Sequence, residues 1–245
     1  MLNNELQKIM FLDIETVPQT SDFSELNKEL GHLWEDKFNH IHKRMPEKYA
    51  DDTTAAEAFN NSAGIYSEFG KIVCISVGFI YYQTNTMHFR SKSFYGNDEK
   101  LILAEFSELI TKFCTTKDHT ICGHNIKEFD IPYICRRMLI NDIRLPSIFD
   151  ISGKKPWEIN FIDTLELWKF GDYKNYTALK LLTAVFGIPT PKDDIDGSQV
   201  AKVYYQEKNI ERISIYCQKD VVATAQVFLR MNGIELIKEV NIEFI

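Results

Sequence analysis

Lys8–Thr16 (KIMFLDIET) is a nearly continuous apolar run broken by two acids, the pattern of a central strand buried on both faces, and Pro18 closes it. From Gln19 to about Gly64 the chain turns polar and charged. Helical spacing recurs around FSELNKELGHLWEDKF and TTAAEAFNNSA and nothing alternates like a strand, so residues 19–64 read as a helical insertion. Gly70–Tyr82 (GKIVCISVGFIYY) is rich in β-branched and aromatic residues, and Thr86–Ser93 follows after a short polar turn, which predicts an antiparallel hairpin. Asp98–Phe113 carries apolar residues at helical spacing behind an Asn97 or Asp98 cap, and Thr120–Gly123 is a short strand leading into GHN. Further helices are expected near Ile131–Ile140, Thr164–Phe170, Thr177–Phe186 and Glu207–Met231, with a strand end at NFID. This order implies the α/β class, a mixed β-sheet flanked by helices. No internal repeat interrupts it, and one domain is expected over residues 1–245.

Composition narrows the picture. The chain has 245 residues, 44% of them hydrophobic, enough to bury a full core. No run of eighteen apolar residues occurs, and the amino terminus lacks the basic start and long apolar stretch of a signal peptide. A soluble, cytoplasmic protein without membrane contact is the expectation. The five cysteines form no C-x-x-C pair and sit mostly in apolar patterns, as reduced core residues do. A net charge of −7 argues against tight general binding to duplex DNA. An enzyme that holds only a few nucleotides at a metal centre does not need a basic surface, because bound cations supply much of the positive charge.

Three short patterns carry candidate chemistry. Asp13 and Glu15 lie two apart on the first strand, so their carboxylates share a face, about 7 Å apart along the backbone. Two unpaired carboxylates on so apolar a strand carry a desolvation penalty of about several kcal/mol, which a divalent cation offsets. Asp130, in NIKEFDIP (Asn125–Pro132), falls just before or at a helix start, with Pro132 suited to the first helical position; taken alone, helix capping is the better account of it than metal binding. Tyr216 and Asp220, in YCQKD, share a helix face beside the stripe Ile213, Cys217, Thr224, Val227, Phe228 and Met231, while Arg212, Lys219, Gln226 and Arg230 fall elsewhere. They face the interior or a cleft, and taken alone a buried tyrosine bonded to its neighbour accounts for them as well as a functional role does.

Taken jointly, the D-x-E of FLDIET, the N-x₂₋₃-[FY]-D of NIKEFD and the Y-x₃-D of YCQKD resemble the motifs of the DnaQ-like 3′-5′ exonucleases. GHNIKEFDIPYICRR and SIYCQKDVVAT look most like the proofreading exonuclease domain of family B DNA polymerases, and the likeness runs from Lys8 to Met231, weakest over 19–64. The resemblance implies a ribonuclease H-like fold and, through Tyr216, the DEDDy subclass; no histidine follows His124 to supply the alternative. It further implies two Mg²⁺ or Mn²⁺ ions held by Asp13, Glu15, Asp130 and Asp220, with Tyr216 orienting the attacking water. The implied substrate is the 3′ end of single-stranded nucleic acid, DNA favoured over RNA. Thr16, Asn125 and Phe129 are the implied substrate contacts. An exoribonuclease using the same site and a catalytically silent nucleic-acid-binding module are the competing functions.

Other features have plain expectations. His124 is structural, and His32, His40 and His42 belong to a solvated helix with no regular metal spacing. Asp163 has the offset of a capping box with Glu166. Asp193, Asp194 and Asp196 mark a turn and helix start, and Lys154, Lys155 and Trp157 read first as an ordinary surface loop, with phosphate contact and stacking of a single strand as the alternative.

Overall fold

The computed structural model describes residues 5–172, 174, 176–189 and 195–245, without the side chain of Pro156. The first strand, β1 (Ile9–Pro18), pairs antiparallel with β2 (Gly70–Gln83) and parallel with β4 (Thr120–Gly123), so it lies inside the sheet, as its unbroken hydrophobicity requires. Adding β3 (Thr86–Tyr95), β5 (Ile162–Asp163) and β6 (Ile242–Phe244) gives a six-stranded mixed sheet in the order β5-β4-β1-β2-β3-β6. The β2–β3 turn is made by Thr84 and Asn85, both at positive φ, which matches the twist of a tight hairpin.

Helices cover both faces. In chain order they are α1 (Lys28–Arg44), α2 (Ala55–Ser62), α3 (Glu99–Phe113), α4 (Asp130–Ile140), α5 (Thr164–Lys169), α6 (Leu179–Val185), α7 (Val200–Lys202) and α8 (Ile210–Met231). Met10, Leu12 and Ile14 of β1 join a core with Leu103 and Phe106 of α3 and Ile131 and Ile134 of α4. On the opposite face Ile9 and Phe11 pack against Val221, Ala225 and Phe228 of α8. Asp13 and Glu15 continue this second face by strand alternation, so the covering helix passes over them.

The insertion forms a small core of its own around Trp34, Phe38, Phe59 and Phe69. Its return to β2 is tied to α4, where Tyr133 Oη donates to Gly64 O at 2.8 Å and, just beyond the insertion, Arg137 Nη1 donates to Ser67 O at 2.9 Å, and Gly64 lies close against the backbone of Val17 and Pro18 of β1. The insertion therefore rests against the end of β1 that carries the acids.

The differences from expectation are local and physical. Pro18 is the last residue of β1, not the breaker after it, and its carbonyl accepts from Tyr205 Oη at 2.5 Å. The first insertion helix begins at Lys28, because Asn27 caps it by accepting from Leu30 N, and it runs on to Arg44. The last helix begins at Ile210 after a π-turn over Val203–Glu207 that closes on Lys208 in the left-handed conformation. Gln226 is buried: its amide receives from Ile237 N and donates to Ile237 O, which leads the chain back to β6, a strand the pattern did not predict. Among the described residues no helix is long and apolar enough to cross a membrane.

Candidate metal centre

Parallel pairing of β1 with β4 ends at Phe11 and Cys122, so beyond that point the backbone of β1 needs other partners. Asp130 supplies one. As the first residue of α4 it accepts from Ile14 N at 3.2 Å through Oδ1, and it is buried. Phe129 occupies the cap position without a side-chain bond, so Asp130 does not cap α4, and Pro132 is the third helical residue, where no intrahelical N–H is required.

Asp13 lies opposite Ser76 and Glu15 opposite Cys74, with a β-bulge immediately after Glu15. Bulges re-aim side chains beside active sites. The Asp13, Glu15 and Cys217 donor atoms all lie within 4.8 Å of one another. Cys217 reaches this position because α8 crosses β1: its thiol donates to Asp13 Oδ2 at 3.3 Å and lies 3.4 Å from Asp13 O. Among the described residues this is the one group of three or more such side chains brought together in that way.

Burial first, then the charges of Asp130 and Asp220, hold the Asp13 carboxyl well above its ordinary range. Glu15 is raised well above its range by burial and then by Asp13 and Asp220. Asp130 is pushed up to about 7, chiefly by burial. Asp130 and Asp220 thus stand outside the tight trio but inside its electrostatic field. Tyr216 is raised by burial, by the charges of Asp220, Glu15 and Asp13, and by its hydrogen bond with Asp220, so its hydroxyl stays protonated at neutral pH. An all-acid cluster whose members oppose each other's ionisation fits a hard divalent cation; the neighbouring thiol is the only softer donor in the trio.

The approach to the cluster is built by one loop. Gly123 ends β4 where a Cβ would stand 2.6 Å from Ile126 Cβ, so only glycine permits the turn. Asn125 follows at φ +62, a conformation asparagine tolerates, and its N–H donates to Asp163 Oδ1 at 2.9 Å. Asp163 does more than the expected capping. It caps α5 through Leu165 N and Glu166 N, and it also receives Lys127 N at 3.2 Å, while Glu166 pairs with Lys127 Nζ instead of closing a box. The Phe129 ring packs 5.5 Å from that of Tyr133, and Thr16, just past the bulge, lies opposite Ile72 of β2.

The remaining expectations sort cleanly. His124 is structural, with Nδ1 2.9 Å from Thr164 Oγ1 and Nε2 2.9 Å from Thr177 O, and burial lowers its pKa. His32 and His40 are exposed on α1, and His42 lies edge-on to Phe38. Asp196 caps a short turn through Ser198 N; Asp193 and Asp194 lie outside the described residues. Lys155 sits over the exposed Trp157 ring, but this loop borders a cleft of about 650 Å³ lined by Thr116, Lys117, His119 and Lys154. That cleft opens at the entry to β4, whereas the acids lie past its exit.

A family model described as a predicted 3′-5′ exonuclease related to the exonuclease domain of PolB matches residues 65–238. The match takes in Asp130, Tyr216 and Asp220 and begins after Asp13 and Glu15. The structure of the family B DNA polymerase from the hyperthermophilic archaeon Pyrobaculum calidifontis superposes with a TM-score of 0.52 at 13% identity, over 90% of this chain and 24% of that one. The fold is accordingly ribonuclease H-like, and this chain spans about a quarter of the polymerase. No curated protein matches it.

Proposed function

The chain belongs to the family of predicted 3′-5′ exonucleases related to the exonuclease domain of PolB, and from that premise we propose that it trims the 3′ end of single-stranded DNA, releasing nucleoside 5′-monophosphates. The observation that carries this reading is the convergence of Asp13 and Glu15, with Asp130 and Asp220 near enough to raise Asp13. Two Mg²⁺ or Mn²⁺ ions held by Asp13, Glu15, Asp130 and Asp220 would supply positive charge to the scissile phosphate and lower the pKa of the attacking water. Asp13 is central to both halves of the cluster, since Cys217 steadies one of its oxygens and Asp130 and Asp220 flank it electrostatically.

Tyr216 keeps its proton and so orients the water as a hydrogen-bond partner instead of removing its proton, which is the tyrosine-subclass role. Thr16, Asn125 and Phe129 border the acids and contact the terminal nucleotide. One catalytic domain spans residues 1–245, a reading supported by the bond that Tyr133 makes to Gly64, at the returning end of the 19–64 insertion.

The test uses 5′-labelled single-stranded DNA and RNA with Mg²⁺ or Mn²⁺. Wild type shortens DNA from its 3′ end faster than RNA. Asp13→Ala and Asp220→Ala each lose more than about a hundredfold, beyond the 10–100-fold typical of outer partners of a metal site. Equal rates in wild type and both variants contradict the reading, and faster RNA shortening transfers it to an exoribonuclease.

A further inference from the structure

Between α5 and α6, Tyr176 presents beside His124 a ring that no step above uses. His124 makes the connection. Thr177 O can only accept, so His124 Nε2 carries the proton and Nδ1 is left to accept from Thr164 Oγ1. The single hydroxyl proton of Thr164 is shared with Gly123 O, which lies 3.2 Å from Oγ1. The end of β4, the start of α5 and the backbone just after Tyr176 are thereby fastened together beside Asn125, at the loop that leads to Asp130.

Tyr176 is 66% exposed, with its ring 6.3 Å from that of His124 and edge-on to it. A single exposed tyrosine needs no explanation; its position does. Partial burial, and then the charges of Asp130, Asp163, Asp13 and Asp220, disfavour ionisation of its hydroxyl, which puts the side chain in the field of the cluster's acids. An aromatic face offers an uncharged surface to any nucleobase, and stacking of this kind is tolerant of sequence.

We propose that the ring of Tyr176 is the stacking surface for the 3′-terminal base of the strand being trimmed, holding that nucleotide with its phosphate toward Asp13 and Glu15. The assignment rests on the exonuclease reading for its ligand, but the subsite itself is read by binding. His124 acts on it indirectly, by fixing the backbone at Thr177, and is a positioning residue.

The experiment places 2-aminopurine at the 3′ end of a single-stranded DNA oligonucleotide and follows its fluorescence as the protein is added with Ca²⁺. Wild type and Tyr176→Phe quench it; Tyr176→Ala does not and binds roughly ten- to a hundredfold more weakly, while its thermal melt is unchanged. In Mg²⁺ the same variant raises KM on ordinary 3′ ends with little change in kcat, and it matches wild type on a 3′-terminal abasic residue. Quenching and KM that are alike in wild type and Tyr176→Ala overturn the proposal, as does a wild type that leaves the fluorescence unquenched. Loss in Tyr176→Phe equal to that in Tyr176→Ala also overturns it, by assigning the effect to the hydroxyl. A wild type that quenches but cleaves nothing with Mg²⁺ or Mn²⁺ refutes the exonuclease reading and leaves the base subsite standing.

Discussion

Two adjacent facts decide how the acidic residues behave: they are shielded from water and they face one another. A carboxyl whose folded pKa is raised contributes stability that is complete below its unfolded pKa and is lost as pH rises through the folded one. For Asp130 that window runs from the ordinary carboxylate value to about 7, and Asp13 and Glu15 shift in the same direction. Metal-free protein should therefore lose stability between about pH 4 and above pH 7, and a cation that replaces the missing protons should restore it. Thermal melts are expected to show a larger Mn²⁺-induced rise in Tm at pH 8 than at pH 5, and a smaller pH dependence in Asp130→Asn. A rise independent of pH would detach the acids from metal binding. Tyr216→Phe should lower kcat about a hundredfold or more while leaving that Tm rise intact, because the proposed function gives the hydroxyl the orienting of water and no part in holding metal. Asp13 and Glu15 were legible in the sequence because two acids interrupt an otherwise apolar strand. The bond from Ile14 to Asp130, the second role of Asp163 and the location of Tyr176 were not, since each depends on elements brought together across tens of residues.

At the scale of elements, the helices beneath the site are held by an ion pair that periodicity does not reveal. Glu99, at the start of α3, accepts from Arg137 Nε at 2.8 Å and Nη2 at 2.5 Å, from Ile72 N at 2.7 Å and from Asn141 Nδ2 at 3.0 Å. Both partners are buried, so removing one strands the other's charge. Glu99→Ala or Arg137→Ala should cost about 3–5 kcal/mol in denaturant unfolding. A loss under about 1 kcal/mol would mean that water takes over the exposed partner. Strands and long helices were legible to within a few residues because their apolar periods are strong. The exceptions have local causes: Asn27 moves a helix start, and β6 has only three residues and relies on Gln226 to guide the chain to it.

At the scale of the molecule, the net charge is −7, and on the proposed reading cations held at the acidic cluster would offset the repulsion between this chain and a nucleic-acid strand. That reading predicts a weak general grip on nucleic acid and a strong dependence on metal. Hydrolysis in water enriched in ¹⁸O is the most direct test, because the reading requires water to attack the phosphorus of the terminal nucleotide while the penultimate 3′ oxygen leaves. With Mg²⁺ or Mn²⁺ and single-stranded DNA, the account predicts nucleoside 5′-monophosphates carrying one ¹⁸O in the phosphate, and none with chelator or with Asp13→Ala. Products bearing a 3′-phosphate, or monophosphates formed at an undiminished rate in chelator, would contradict it.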